Sequence, residues 1–104
     1  MEDFKYINEL IVEELIDLGL PIEGKSFLYW GYILTKIYNH EIEKYSVINI
    51  YKDVAKKFDT NIYAAERALR NGTTKMKNRI QEKYKIKTKI TNGTVVALFQ
   101  LKVF

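Results

Sequence analysis

Apolar residues return every three or four positions through "FKYINELIVEELIDLGL": Ile7, Leu10, Ile11, Leu15 and Leu18, with Glu9, Glu13, Glu14 and Asp17 set between them. That period predicts an amphipathic helix with an acidic outer face. Gly19 suits the left-handed position just past a helix end and Pro21 discourages continuation, so the helix is expected to stop near Leu18. The next periodic run, "SFLYWGYILTKIYNH", is apolar almost all round, through Phe27, Leu28, Trp30, Tyr32, Ile33, Leu34, Ile37 and Tyr38. Ser26 is its candidate N-cap, and a helix apolar on most faces is normally the buried spine of a domain.

A shorter amphipathic segment follows in "SVINIYKDVAKKF". Val47, Ile50, Val54, Ala55 and Phe58 are expected to face inward, and Lys52, Asp53, Lys56 and Lys57 outward. After "DTN", where Thr60 or Asn61 can accept a bond from a free amide, comes "NIYAAERALRNGTTKMKNRI". Its inward stripe is Ile62, Ala65, Leu69, Gly72 and Met76; its outward stripe is Tyr63, Glu66, Arg67, Arg70 and Thr74. Gly72 weakens a helix by ~1 kcal/mol relative to alanine, so a kink or an early end near Asn71 is expected. Two amphipathic helices, a three-residue polar turn and the small Ala65 at their crossing form a helix–turn–helix pattern.

The remainder, "QEKYKIKTKITNGTVVALFQLKVF", supports two readings. Lysine alternates with Tyr84, Ile86, Thr88 and Ile90, and Asn92–Gly93 is a hairpin signal, which together suggest a β-hairpin. Equally, a basic extended connector can lead into a helix capped by Thr91 or Asn92, with Val95, Leu98, Phe99 and Lys102 at helical spacing.

Charge adds what periodicity lacks. Residues 1–50 carry four lysines against nine acidic residues, a net −5; residues 51–104 carry thirteen basic residues against four acidic, a net +9. A small domain polarised in this way orients in the field of a polyanion. With no cysteine, disulfide frameworks, thiolate zinc sites and cysteine nucleophiles are excluded. His40 is the sole histidine; although Glu41 and Glu43 stand beside it, a metal site needs three or four ligands, so it reads as a surface or helix-end residue. No signal peptide is expected from "MEDFKYINEL", and no apolar run approaches the ~20 residues that cross a bilayer. There is no nucleophile–base pair and no glycine-rich phosphate loop, so neither enzyme activity nor a cofactor or metal is expected.

The stretches "SFLYWGYILTKIYN" and "IYKDVAKKFDTNIYAAERALR", and more weakly "TNGTVVALFQLKV", resemble the C-terminal DNA-binding effector domain of the stage zero sporulation protein A family of response regulators. The second stretch carries the family's "AKKF" helix ending, a threonine-containing turn and a spaced "ERA-x-R". The resemblance covers roughly Leu10 to Val103. It implies an all-α domain of about six helices that binds short promoter sites, often as a head-to-tail pair on tandem sites, and it favours the helix over the hairpin at the C-terminus. It also implies that Glu66, Arg67 and Arg70 contact bases. Tyr63–Ala64 stand where the family usually has a Ser-Arg pair, Asn71–Gly72 interrupt a usually smooth helix, and the segment before the last helix is shorter and richer in lysine. A free-standing effector domain without the receiver domain is expected.

The physical reading of the same residues agrees. Arginine grips guanine O6 and N7, and glutamate accepts from cytosine N4, each good pair discriminating by ~1–3 kcal/mol. The expectation is therefore a single all-α domain, 1–104, of five to six helices, with a helix–turn–helix at about 49–79. Residues Asn49–Phe58 would position the recognition helix, about Asn61–Met76. Glu66, Arg67, Arg70 and Tyr63 are the candidate base-reading residues. Lys56, Lys57, Thr60, Thr74, Lys75 and Lys77 are the candidate phosphate contacts, and "KYKIKTK" is a candidate for following the backbone beyond the groove. The expected partners are double-stranded DNA, a second copy in a homodimer on tandem sites, and RNA polymerase; the expected location is cytoplasmic, with no membrane. Against this stand two other readings. The arginines can be an ordinary solvated face paired with Glu66 or Asp59, or the chain can be a protein-binding module or inhibitor that engages RNA polymerase or another partner through its acidic half.

Overall fold

A computed structural model describes residues 2–41 and 46–104, with side chains from Tyr6 onward. Glu43 lies outside the described residues. The described residues form α1 (Glu2–Asp17), α2 (Lys25–Tyr38), α3 (Val47–Lys57), α4 (Ile62–Tyr84) and α5 (Asn92–Leu98), the last continuing as a π-helical turn over Phe99–Val103. No strand occurs among them, in keeping with the all-α expectation.

The first helix ends as its sequence predicts. Gly19 takes a φ of 92°, and the amide of Leu20 donates to the Leu15 carbonyl at 3.0 Å while that of Gly19 donates to Ile16 at 2.9 Å. This left-handed closure satisfies the last carbonyls and turns Leu20 into the core. The second helix starts two residues earlier than expected, behind Gly24, and Ser26 is not its cap. The Ser26 hydroxyl instead donates to the Ala68 carbonyl at 2.6 Å, and the Trp30 indole N–H donates to the Leu69 carbonyl at 2.9 Å. Two side chains of α2 are thus spent on the backbone of α4. Nor is α2 buried all round, because Leu28 is exposed. His40, exposed and at a φ of 59°, lies just beyond the C-terminal end of α2.

The helical pair at the centre of the chain is longer than expected at both ends. Ser46 caps α3, its hydroxyl accepting from the Asn49 amide, so the helix begins at Val47 rather than Asn49. Val47 in that first turn is exposed, contrary to its expected inward position; Ile50, Val54 and Ala55 are buried. Phe58 closes α3 by stacking on Tyr29 at 4.7 Å and meeting Tyr32 edge-on. In the turn, Asn61 rather than Thr60 caps α4, its side chain accepting from the Ala64 amide at 2.8 Å.

The fourth helix runs unbroken for 23 residues, past both the break expected at Asn71–Gly72 and the end expected near Met76. At Gly72 the side chains of Trp30 and Ser26 from α2 press against α4, and Ala65, Leu69, Met76 and Ile80 continue the buried stripe on either side of it. The hairpin reading of the C-terminus fails. Thr91 and Thr94 form a reciprocal capping box, and Asn92–Gly93 open α5 instead of turning a chain. A buried polar contact explains the outcome. Asn92 Oδ1 lies 2.6 Å from the Thr73 hydroxyl of α4, and its amide nitrogen donates to the Tyr51 hydroxyl of α3 at 3.0 Å. Val95, Val96, Leu98 and Phe99 then complete the core around Trp30.

Candidate nucleic-acid interface

The capped start of α4 sets the direction of the residues that follow. Ala65 and Leu69 face α3 and the core, which turns Tyr63, Arg67 and Arg70 to solvent; Tyr63 is 84% exposed. Glu66 sits at the edge of this row, its side chain only 32% exposed, with an oxygen 3.4 Å from Arg70 Nε one turn on. The candidate base-reading residues therefore do form one outward strip on a rigid helix.

Among the described residues the ion pairs are Lys36–Asp53, Arg70–Glu66, and Lys83 with Glu14 and Asp17. Arg67 enters none of them. The Arg70–Glu66 pair is the ordinary solvated contact anticipated as the rival reading. Being i,i+4 and exposed, it is worth only ~0.3–0.5 kcal/mol, and both side chains release from it easily.

The candidate phosphate contacts divide. Lys56 and Lys57 are exposed at the end of α3, where Lys57 Nζ stands 5.8 Å above the Tyr32 ring. Thr60 is half-buried in the turn, its amide donating to the Ala55 carbonyl. Thr74 and Lys77 are exposed on the same side of α4 as Arg70. Lys75 is exposed too, but at about 100° per residue it lies ~140° round the helix from Arg70 and faces elsewhere. Asp53, expected to face outward, is taken up by Tyr32, which donates to it at 2.5 Å, and by Lys36 at 3.1 Å. That carboxylate holds Lys36 above its ordinary value and helps burial raise the Tyr32 phenol.

The last carboxylates of α1 are engaged at the far end of α4. Lys83, near the far end of α4, lies 2.9 Å from Glu14 and 2.7 Å from Asp17, while Tyr84 donates to Glu14 at 2.6 Å and Arg79 to the Asp17 carbonyl at 2.9 Å. Burial, with the Glu14 hydrogen bond second, pushes the Tyr84 phenol up to about 12. Hydrogen bonds to Asp17 and then Glu14 hold the Lys83 ammonium well above its ordinary value. Glu14 and Asp17 are thus engaged between five and six turns along α4 from Tyr63.

A cleft of about 540 Å³ borders the row on its Glu66–Lys77 side. Sequence reasoning placed neither Tyr51 nor Asn92 there, and it took Lys89 only as part of a basic run. The signal was the alternation of "KIKTKI": Ile86 and Ile90 pack inward, leaving Lys85, Lys87 and Lys89 outside. Among the described residues no cluster of His, Cys, Asp or Glu suits a metal ion, and no helix is long and apolar enough to cross a membrane. The chain matches no protein-family model.

Proposed function

We propose that this protein binds double-stranded DNA sequence-specifically, with α3 and α4 acting as a helix–turn–helix, and that it regulates transcription. The single observation that carries this reading is the outward strip of Tyr63, Arg67 and Arg70 on the capped first half of α4. A carboxylate in such a strip is informative. Glu66 would repel phosphate, whereas at a base edge it accepts from cytosine N4 and penalises other bases. Arg67 and Arg70 supply bidentate donors for guanine, and Tyr63 offers an apolar face with a hydroxyl at its tip. Breaking the Glu66–Arg70 pair costs a few tenths of a kcal/mol against the ~1–3 kcal/mol of a good base contact, so readout wins. Lys56, Lys57, Thr60, Thr74 and Lys77 grip the backbone alongside, with Lys75 on a separate flank. The four lysines among these contacts neutralise four phosphates, which gives log affinity a slope of about −4 against log salt.

Selection of bound duplexes from a random pool, followed by salt titration on the recovered site, tests the reading. Enrichment of one short motif with a steep slope is expected. No enrichment, together with no salt-dependent retention on random duplex, would overturn it.

A second reading, a protein-binding module that engages RNA polymerase or another partner, is favoured by one observation. Phe27, exposed Leu28 and Phe58 line an apolar groove of about 380 Å³ beside the acid-faced α1. Binding that ignores salt and survives Arg67→Ala but is lost on Leu28→Asp supports this reading instead.

A further inference from the structure

This inference rests on the DNA-binding reading and adds a second contact to it. The cleft beside the row has one wall from α4 and the other from the connector that precedes α5. Each wall brings a lysine: Lys77 from α4 and Lys89 from the connector. Both are exposed, and neither enters an ion pair among the described residues. The one carboxylate at the cleft, Glu66, stands eleven residues, about 17 Å of helix, from Lys77. Two lysines without an ion-pair partner among the described residues therefore line the same open trough.

The floor argues for a ligand held by its charge. Thr73, Asn92 and Tyr51 satisfy one another there, and among the described residues no buried side-chain oxygen or nitrogen lacks a partner. Nothing at the bottom asks for a polar ligand; the demand is at the rim, and it is for anions. Nor is the connector wall loose. Ile90 is buried, Ile86 packs on the core, and the capping box at Thr91 fixes where the segment ends. A connector held by these contacts, bringing Lys89 beside a helix that presents Arg70, Thr74 and Lys77, fits an extended chain of phosphates better than a compact ion.

We infer that this trough seats the phosphodiester backbone of one DNA strand, clamped between Lys77 of α4 and Lys89 of the connector. The clamp fixes how deeply α4 enters the groove and on which side of it a strand lies. Lys75, on the other flank of the helix, takes no part.

The test uses the full chain on a duplex recovered from selection and on copies carrying a neutral methylphosphonate at one phosphate at a time. Wild-type protein is expected to lose affinity at a narrow set of positions on one strand. Lys89→Ala is expected to become insensitive to those substitutions, to lower the salt slope by about 1, and to keep the base preference of wild type. Helical content by circular dichroism confirms that the exposed substitution leaves the fold intact. An unchanged slope and positional profile overturn the clamp while leaving base readout standing, and so does a smaller slope without positional loss, which marks diffuse attraction. If wild type selects no duplex, the DNA-binding reading fails first.

Discussion

A methyl group on Gly72 would stand 3.0 Å from Cδ1 and Nε1 of Trp30 and 3.1 Å from Cβ of Ser26. Trp30 is fully buried and its N–H is committed to the Leu69 carbonyl, so the ring has nowhere to withdraw. This contact between α2 and α4 depends on the smallest side chain in the protein alphabet.

Gly72→Ala is therefore expected to destabilise the protein by about 1–3 kcal/mol. That is opposite in sign to the ~1 kcal/mol gain that helix propensity alone predicts. Urea unfolding followed by Trp30 fluorescence measures the difference, and a stabilised variant would show that the indole can yield.

Asn92→Ala removes the amide that joins α4 to α3 beneath α5. The Thr73 hydroxyl still has the Leu69 carbonyl at 3.1 Å, so no donor is orphaned and the loss is expected to be about 1 kcal/mol. Hydrogen exchange should localise it, with amides of α5 losing protection while those of α2 keep theirs.

Alkaline pH is expected to loosen α1 from α4. Tyr84 and Lys83 both hold their protons more tightly in the fold than in the unfolded chain, so their contribution is complete below pH 10. It fades as pH rises towards about 12, where the Tyr84 phenol titrates. Asp17 behaves in the opposite sense. The Lys83 hydrogen bond holds it below its ordinary 3.8, so its contribution is present above that value and is lost in stronger acid. Thermal melts of wild type and Tyr84→Phe should diverge below pH 10 and converge through the alkaline window; parallel curves would show that the phenol contributes nothing.

On a selected duplex, Arg67→Ala is expected to relax preference at one base position at a cost of ~1–3 kcal/mol, while Lys77→Ala weakens all sequences alike. Equal losses from both on specific and random duplexes would remove base reading from α4.

The sequence revealed what local chemistry decides. Gly19 and Pro21 marked the end of α1, and the spacing of Ala65, Leu69 and Met76 gave the inward side of α4. It misled wherever a residue answers to a distant partner. Ser26 has the side chain of a cap, yet its hydroxyl is claimed by Ala68, 42 positions away. Gly72 reads as a weak point within its own helix and is in fact a close contact with another. Asn92–Gly93 has the composition of a hairpin turn until Thr73 and Tyr51 draw the amide inward. The outward row on α4 was visible from its spacing. Lys89 as one wall of a trough was not, because only tertiary packing brings the connector alongside.

A straight rod cannot follow a channel that winds around a cylinder. At 1.5 Å per residue α4 is ~34 Å long, and the stretch from Tyr63 to Lys77 uses ~21 Å of it. If that stretch seats in DNA as proposed, the Lys83 end would leave the duplex on a tangent, taking Glu14 and Asp17 with it. The molecule would then stand on its target like an outrigger, with the Lys83–Glu14–Asp17 cluster held clear of the phosphates.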